Sequence, residues 1–170
     1  MLKLSGIVAD SVVDGPGIRV TVFCQGCPHH CPGCHNPETW SFEGGTEIEE
    51  ETIVSIVASN PLCRGVTFSG GEPFAQAEGY AKLAKLLKEK GYEVASYSGY
   101  TFEQLLSGTP AQKDLLQSID ILIDGPFLLA EKSLEIAFRG SRNQRILNVP
   151  ASLAAGQAVS VTSGRWLGEY

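Results

Sequence analysis

Gly65-Val-Thr-Phe-Ser-Gly-Gly-Glu-Pro73 is the stretch that decides the fold. Its first half, Gly65–Ser69, is β-branched and aromatic, as a buried strand requires. Ser69-Gly-Gly-Glu-Pro73 then breaks the strand, because glycine and proline punctuate regular structure. A helix is expected from Gln76 to Lys90, with Tyr80, Leu83, Leu86 and Leu87 on one side, lysines on another, and Gly91 stopping it. Strand, glycine corner and helix together form a backbone nest suited to polar or anionic groups.

The same pattern recurs downstream. Tyr92–Tyr97 reads as a strand ending in Ser98-Gly-Tyr-Thr101, and Thr101 is placed to cap a short helix, Phe102–Leu106. A further helix is expected near Ala111–Gln117. Ile119-Asp-Ile-Leu-Ile-Asp124 is a continuous apolar strand that stops at Gly125-Pro-Phe127. Upstream, Leu2–Ala9 alternates weakly, as a short edge strand would. Asp14-Gly-Pro-Gly17 is a hairpin turn signal, and Ile18–Phe23 is a buried strand. Glu47–Ser59 has acidic residues at its start, where a helix macrodipole favours them, and an apolar stripe of Ile48, Ile53, Ile56 and Val57. Strands alternating with helices predict an α/β domain built on a mainly parallel sheet. A closed eight-fold barrel takes about 250 residues, so 170 residues allow only an open partial (β/α) barrel, read as one domain over residues 1–170.

Parallel sheets bind ligands at the carboxyl ends of their strands. The chemically distinctive residues gather at those ends: Gly70, Gly71 and Glu72, then Ser98, then Asp124, and the cysteine run that follows Phe23. That run is Cys24-Gln-Gly-Cys27-Pro-His-His-Cys31-Pro-Gly-Cys34-His-Asn-Pro37, holding four of the five cysteines. Dense thiolates are soft ligands that select iron–sulfur clusters, zinc or Cu(I). Cys24 shares a strand face with Val20 and Val22, which marks it as a packed core thiol. Cys27, Cys31 and Cys34, spaced C-x3-C-x2-C, are the expected metal ligands, with Cys24 as a fourth ligand the alternative. Three thiolates on a cubane leave one iron open to a small molecule, whereas an electron-transfer cluster takes four. His35 follows the last cysteine and stands nearest to such a molecule, or is a hydrogen-bonded loop histidine; His29 and His30 are exposed or line the pocket, with a ligand role the alternative. Zinc is the competing metal, although paired knuckles would want a longer separation of roughly 15–20 residues. A non-catalytic metal-binding scaffold is the competing function, and it would have no use for Gly70-Gly-Glu-Pro73. Cys63 stands apart as a packing or surface thiol.

The net charge of −6 argues against nonspecific nucleic-acid binding. No apolar run approaches the roughly 20 residues that span a bilayer, and the amino terminus lacks a signal-peptide pattern. A cytoplasmic, reducing setting is expected, where clustered cysteines ligate metals more often than they form disulfides. Arg139, Arg142 and Arg145 lie in a polar stretch entering a last strand, Arg145–Val149. They either belong to that loop or contact a substrate carboxylate or a partner.

Cys27-x3-Cys31-x2-Cys34 followed by Gly70-Gly-Glu-Pro73 resembles the radical S-adenosylmethionine superfamily. Asp14-Gly-Pro-Gly-Ile-Arg19, Gln25-Gly-Cys27 and Cys34-His-Asn-Pro37 with Thr39-Trp40 resemble its glycyl-radical-enzyme activases. Short length, Ser98-Gly-Tyr-Thr101, Asp124-Gly-Pro-Phe127 and Arg139-Gly-Ser-x-Asn-Gln-Arg145 resemble the branch that activates anaerobic ribonucleoside-triphosphate reductase. Pyruvate formate-lyase activases, the alternative, are longer and usually carry lysine where Pro126 stands. Superfamily members often have an aromatic residue where Gly33 stands. The resemblance implies a radical SAM type partial barrel with a [4Fe–4S] cluster on Cys27, Cys31 and Cys34. It implies S-adenosyl-L-methionine held near Gly33, Cys34, His35, Gly70, Gly71, Glu72, Ser98 and Asp124, with Glu72 and the corner backbone accepting from the methionine amino group. The implied reaction is an oxidoreductase one: reductive cleavage to a 5′-deoxyadenosyl radical, which takes hydrogen from a glycine of the partner reductase. A low-potential donor such as flavodoxin is implied as well.

Overall fold

The structure, a computed structural model, describes residues 1–168. Its strands are β1 (Leu2–Ser11), β2 (Arg19–Cys24), β3 (Thr46–Ile48), β4 (Gly65–Gly70), β5 (Glu93–Tyr97), β6 (Ile121–Asp124) and β7 (Arg145–Asn148). Its α-helices are α1 (Glu50–Ala58), α2 (Ala77–Glu89), α3 (Phe102–Leu106), α4 (Pro110–Ser118), α5 (Val149–Ala155) and α6 (Gly164–Leu167). Among the described residues the strands form one open sheet in the order β3-β1-β2-β4-β5-β6-β7.

The sheet is mixed, which corrects the expectation of a mainly parallel one. β2, β4, β5 and β6 run parallel in sequential order, while β1, β3 and β7 pair antiparallel with their neighbours. The cause is the connections. Parallel neighbours need a crossover, and helices supply it between β2 and β6. β1 reaches β2 through the turn at Asp14-Gly-Pro-Gly17 as a hairpin, and β6 reaches β7 without a crossover helix, so both return antiparallel. β1 is therefore ten residues long and internal, not a short edge strand, because Thr46–Ile48 pairs on its other side. The same pairing trims the first helix: α1 begins at Glu50 rather than Glu47.

One face of the sheet carries Val20, Val22, Cys24, Val66, Phe68, Val94, Leu122 and Leu147 into the main core against α1, α2 and α4. Tyr80, Leu83 and Leu87 of α2 answer them from the apolar side that the helical spacing predicts. The opposite face is smaller and more polar. Ala95, Ile121, Ile123 and Ile146 pack there against Val161 and Trp166. Beside them Arg19 is fully buried, its Nε 2.9 Å from Thr67 Oγ1, its Nη1 2.9 Å from Glu93 Oε1 and its guanidinium 5.2 Å from the Trp166 ring. Burial pushes the Arg19 pKa down and Glu93 opposes that, so a charged partner is what makes the site tolerable. No helix among the described residues is long and apolar enough to cross a membrane.

Candidate metal centre

β2, β4, β5 and β6 end at Cys24, Gly70, Tyr97 and Asp124, and these ends lie on one edge of the fold. The cysteine loop leaves β2 there. Its base is tied shut by backbone bonds from Gly26 N to Thr39 O (2.6 Å) and from Cys27 N to Trp40 O (3.1 Å). Gln25 adds its side-chain amide to Ser41 O at 2.7 Å and Glu38 O at 3.2 Å. Pro28 and Pro32 exclude regular helix from the loop, and Pro37 opens a single 3-10 turn, Pro37–Thr39, at its end. Within it, Cys34 N donates to Cys31 O at 3.1 Å and Asn36 N to Cys34 Sγ at 3.4 Å.

All five cysteines are free thiols. Cys27 is buried, whereas Cys31 and Cys34 are half-buried. Burial pushes the Cys27 thiol up, while backbone N–H groups of His29 and His30 aimed at its sulfur pull the other way. Free thiols on one short loop, with N–H groups directed at sulfur, are donors that fit an iron–sulfur cluster. Cys24 has a different environment. It is fully buried among the apolar residues of the main core, accepts from Gln76 Nε2 at 3.2 Å, and burial raises its thiol to about 12.

The glycine corner is arranged differently from a free nest. Gly71 N donates to Cys24 O and Glu72 N to Gly26 O, each at 2.8 Å. The corner thus extends the β2–β4 pairing into the base of the cysteine loop instead of presenting unpaired N–H groups. Gly71 is needed because that backbone is so close: a Cβ there would stand 2.3 Å from Gly26 O.

Glu72 is fully buried and caps the turn that follows it. Oε2 accepts from Phe74 N at 3.0 Å, Oε1 accepts from Gly99 N at 2.7 Å, and Ser98 Oγ lies 3.0 Å from both oxygens. His29 Nε2 reaches Oε1 at 2.6 Å. Sequence reasoning left His29 as a pocket or surface residue and missed this contact; the available signal was that a buried carboxylate at a strand end must find donors.

The other expected site residues divide. Ser98 is at the corner, bound to Glu72. Gly33 and His35 are exposed beside the loop that follows β6, with Leu129 against Gly33 and the His35 ring 5.4 Å from that of Phe127. Asp124 is buried, but its carboxylate is engaged by Phe102 N at 2.7 Å and by Arg145 Nε at 3.0 Å and Nη2 at 2.5 Å. Arg145 also holds Glu103, and the two acids, Asp124 foremost, raise its pKa. This pair ties β6, β7 and α3 together. Of the three arginines, Arg142 is exposed and Arg139 donates to the carbonyls of Ala137 and Gln144 at 3.4 and 3.5 Å.

Asp124→Ala is therefore expected to remove acceptors from a buried N–H and a half-exposed guanidinium, at a cost of about 2 kcal/mol. Thermal unfolding of the iron-free protein should fall by about 4–8 °C. An unchanged melting temperature with weaker S-adenosylmethionine binding would move Asp124 from bracing the sheet to holding the cofactor.

Residues 13–147 match the family described as 4Fe-4S single cluster domain. The anaerobic ribonucleoside-triphosphate reductase-activating protein of Vibrio cholerae is 36% identical over 143 residues, covering 79% of this chain and 90% of the relative. The protein of the same name from Escherichia coli K12 is 33% identical, covering 78% and 90%. The pyruvate formate-lyase-activating enzyme of Clostridium pasteurianum is 40% identical over 118 residues, covering 64% of this chain and 50% of the relative.

Proposed function

Because this chain belongs to the 4Fe-4S single cluster family and to the glycyl-radical activases within it, we propose that it is the oxidoreductase that activates an anaerobic ribonucleoside-triphosphate reductase. The observation that carries the reading is the loop of free thiols Cys27, Cys31 and Cys34 at the carboxyl ends of the parallel strands, next to the Gly70–Glu72 and Ser98 corners. The sequential strand order β2-β4-β5-β6 with helices packed on one face supports the radical SAM partial barrel, since right-handed crossovers in one direction place every helix on the same side.

In this reading Cys27, Cys31 and Cys34 hold a [4Fe–4S] cluster. When bound, the cluster supplies the electron that cleaves S-adenosylmethionine to methionine and a 5′-deoxyadenosyl radical. The protein's part is position and shielding. The Gly70-Gly71 corner, Ser98, Gly33 and His35 are the residues that would hold the methionine end of the cofactor. Asp124 and Arg145 keep the neighbouring strand ends in register. The donor is of low potential, a flavodoxin for example, because reducing a sulfonium lies at the negative end of the roughly −700 to +450 mV range of clusters.

The test mixes the reconstituted, reduced protein with S-adenosylmethionine and the reductase from the same source, and records the electron paramagnetic resonance spectrum. A glycyl doublet on the reductase supports the proposal. Formation of 5′-deoxyadenosine with a radical on pyruvate formate-lyase instead, or with consumption of a small metabolite, would keep the chemistry and overturn the partner.

A further inference from the structure

We infer that His29 is a positioning residue, the tether that fastens the cysteine loop to Glu72 and so sets where the cluster ligands stand relative to the strand-end corners. The inference rests on the cluster reading above. It begins with the acceptor capacity of Glu72. An ionised carboxylate offers about four lone-pair directions. Four protein donors converge on this one: Phe74 N on Oε2, Gly99 N and His29 Nε2 on Oε1, and Ser98 Oγ within reach of both. The side chain is fully buried. Glu72 is thus filled by its own protein, and a direct bond to a cofactor amino group would need one of those donors to leave.

Three of the four donors come from fixed parts of the fold. Phe74 belongs to the turn entering α2, and Ser98 and Gly99 to the corner after β5. His29 alone comes from the cysteine loop, between Cys27 and Cys31. Its ring is also held on its other sides. It meets Tyr100 edge-on with centroids 4.5 Å apart, and it lies over Gly99 so closely that a Cβ there would be 2.5 Å from His29 Cδ2. A hydrogen bond to a charged, buried acceptor is among the stronger ones. Nε2 is the ring nitrogen that faces the carboxylate. The other hydrogen-bonded fastenings of the loop described above, from Gln25, Gly26 and Cys27, lie at its base, while Gly33 and His35 meet Leu129 and Phe127 without a hydrogen bond. His29 pins the ligand-bearing arch itself, through Nε2 on Glu72 Oε1.

The experiment compares the full-length protein with His29→Ala, His29→Gln and Gly99→Ala, first iron-free and then reconstituted. Gly99 has no left-handed backbone requirement, so alanine there crowds the imidazole while keeping the N–H from which Glu72 accepts. Amide exchange in residues 27–34 of the iron-free protein is expected to rise at least about tenfold in His29→Ala and Gly99→Ala. Gln, which can present an N–H near the place of Nε2, should restore most of the protection. In reconstituted protein the cluster should bleach faster under chelator in the same two variants. Its reduced paramagnetic spectrum with S-adenosylmethionine should broaden, again with rescue by Gln. Wild-type exchange in both His29→Ala and Gly99→Ala overturns the tether, as does loss of cofactor affinity with exchange unchanged, which would make His29 a direct contact. If His29→Ala does not fold, Gly99→Ala decides. Should wild-type protein take up no cluster, the proposed function fails while the iron-free exchange still judges His29.

Discussion

Cys27→Ala, Cys31→Ala and Cys34→Ala proteins, reconstituted anaerobically with iron and sulfide, are expected to lack cluster absorption and to cleave S-adenosylmethionine at less than about one hundredth of the wild-type rate. Removing a residue that merely supports a metal ligand costs about 10–100-fold, so removing a ligand should exceed that. Cys24→Ser is the control with the opposite expectation. Cys24 sits among Val20, Val22 and Phe68 in the main core, with its thiol raised to about 12 by burial. A hydroxyl there is a packing and solvation problem of about 1–3 kcal/mol, not the loss of a ligand. Iron and sulfide content should therefore survive in Cys24→Ser, in step with whatever fraction stays folded. A cluster lost in folded Cys24→Ser but kept in Cys34→Ala would show that the ligand set is wrong.

Gly71→Ala is expected to have the largest effect on the iron-free protein of any single methyl group added near the site. Its Cβ would fall 2.3 Å from Gly26 O and 3.0 Å from Cys24 O, both backbone atoms that cannot swing aside. Overpacking of this kind costs about 3 kcal/mol at the upper end, a fall in melting temperature of about 6–12 °C. The loop base should shift with it, so cluster uptake should drop too. The competing account has Gly71 leaving room for the cofactor. It demands an unchanged melting temperature without iron and a deficit seen only when S-adenosylmethionine is added. Calorimetry of the iron-free variant separates the two.

The parallel centre of the fold was legible because its strands are short apolar runs that end close to a glycine, and β4 and β5 are each followed by a helical stripe. Gly65–Ser69 and Ile119–Asp124 contain that information locally. The outer strands were not, because Thr46–Ile48 has no pattern of its own and becomes a strand only when Leu2 and Leu4 are alongside. The helix that ends the last strand did carry a signal, Asn148 capping onto Ala151 N with Pro150 in the first turn, but the apolar run through Val149 reads equally as strand. In the candidate site the cysteines could be read from spacing. What could not be read is which acceptors are already taken. Asp124 and Glu72 look alike from sequence, acids at strand ends, yet one is matched by Arg145 and the other by His29. Their partners lie 21 and 43 residues away along the chain.

The outermost strands, β3 and β7, are three and four residues long. Beyond β7, Leu147 already bridges to Ser160 of the closing segment. Edges this short offer another chain few free backbone groups to pair with, which is one way natural sheets avoid joining edge to edge. The consequence concerns the protein before it receives iron. A newly made chain must wait with its thiol loop open, and the vulnerable part of it in that interval is sulfur chemistry rather than sheet growth. Storage of the iron-free protein should then be limited by oxidation of the half-buried Cys31 and Cys34, and a thiol reductant should preserve it where measures against fibre formation would make no difference.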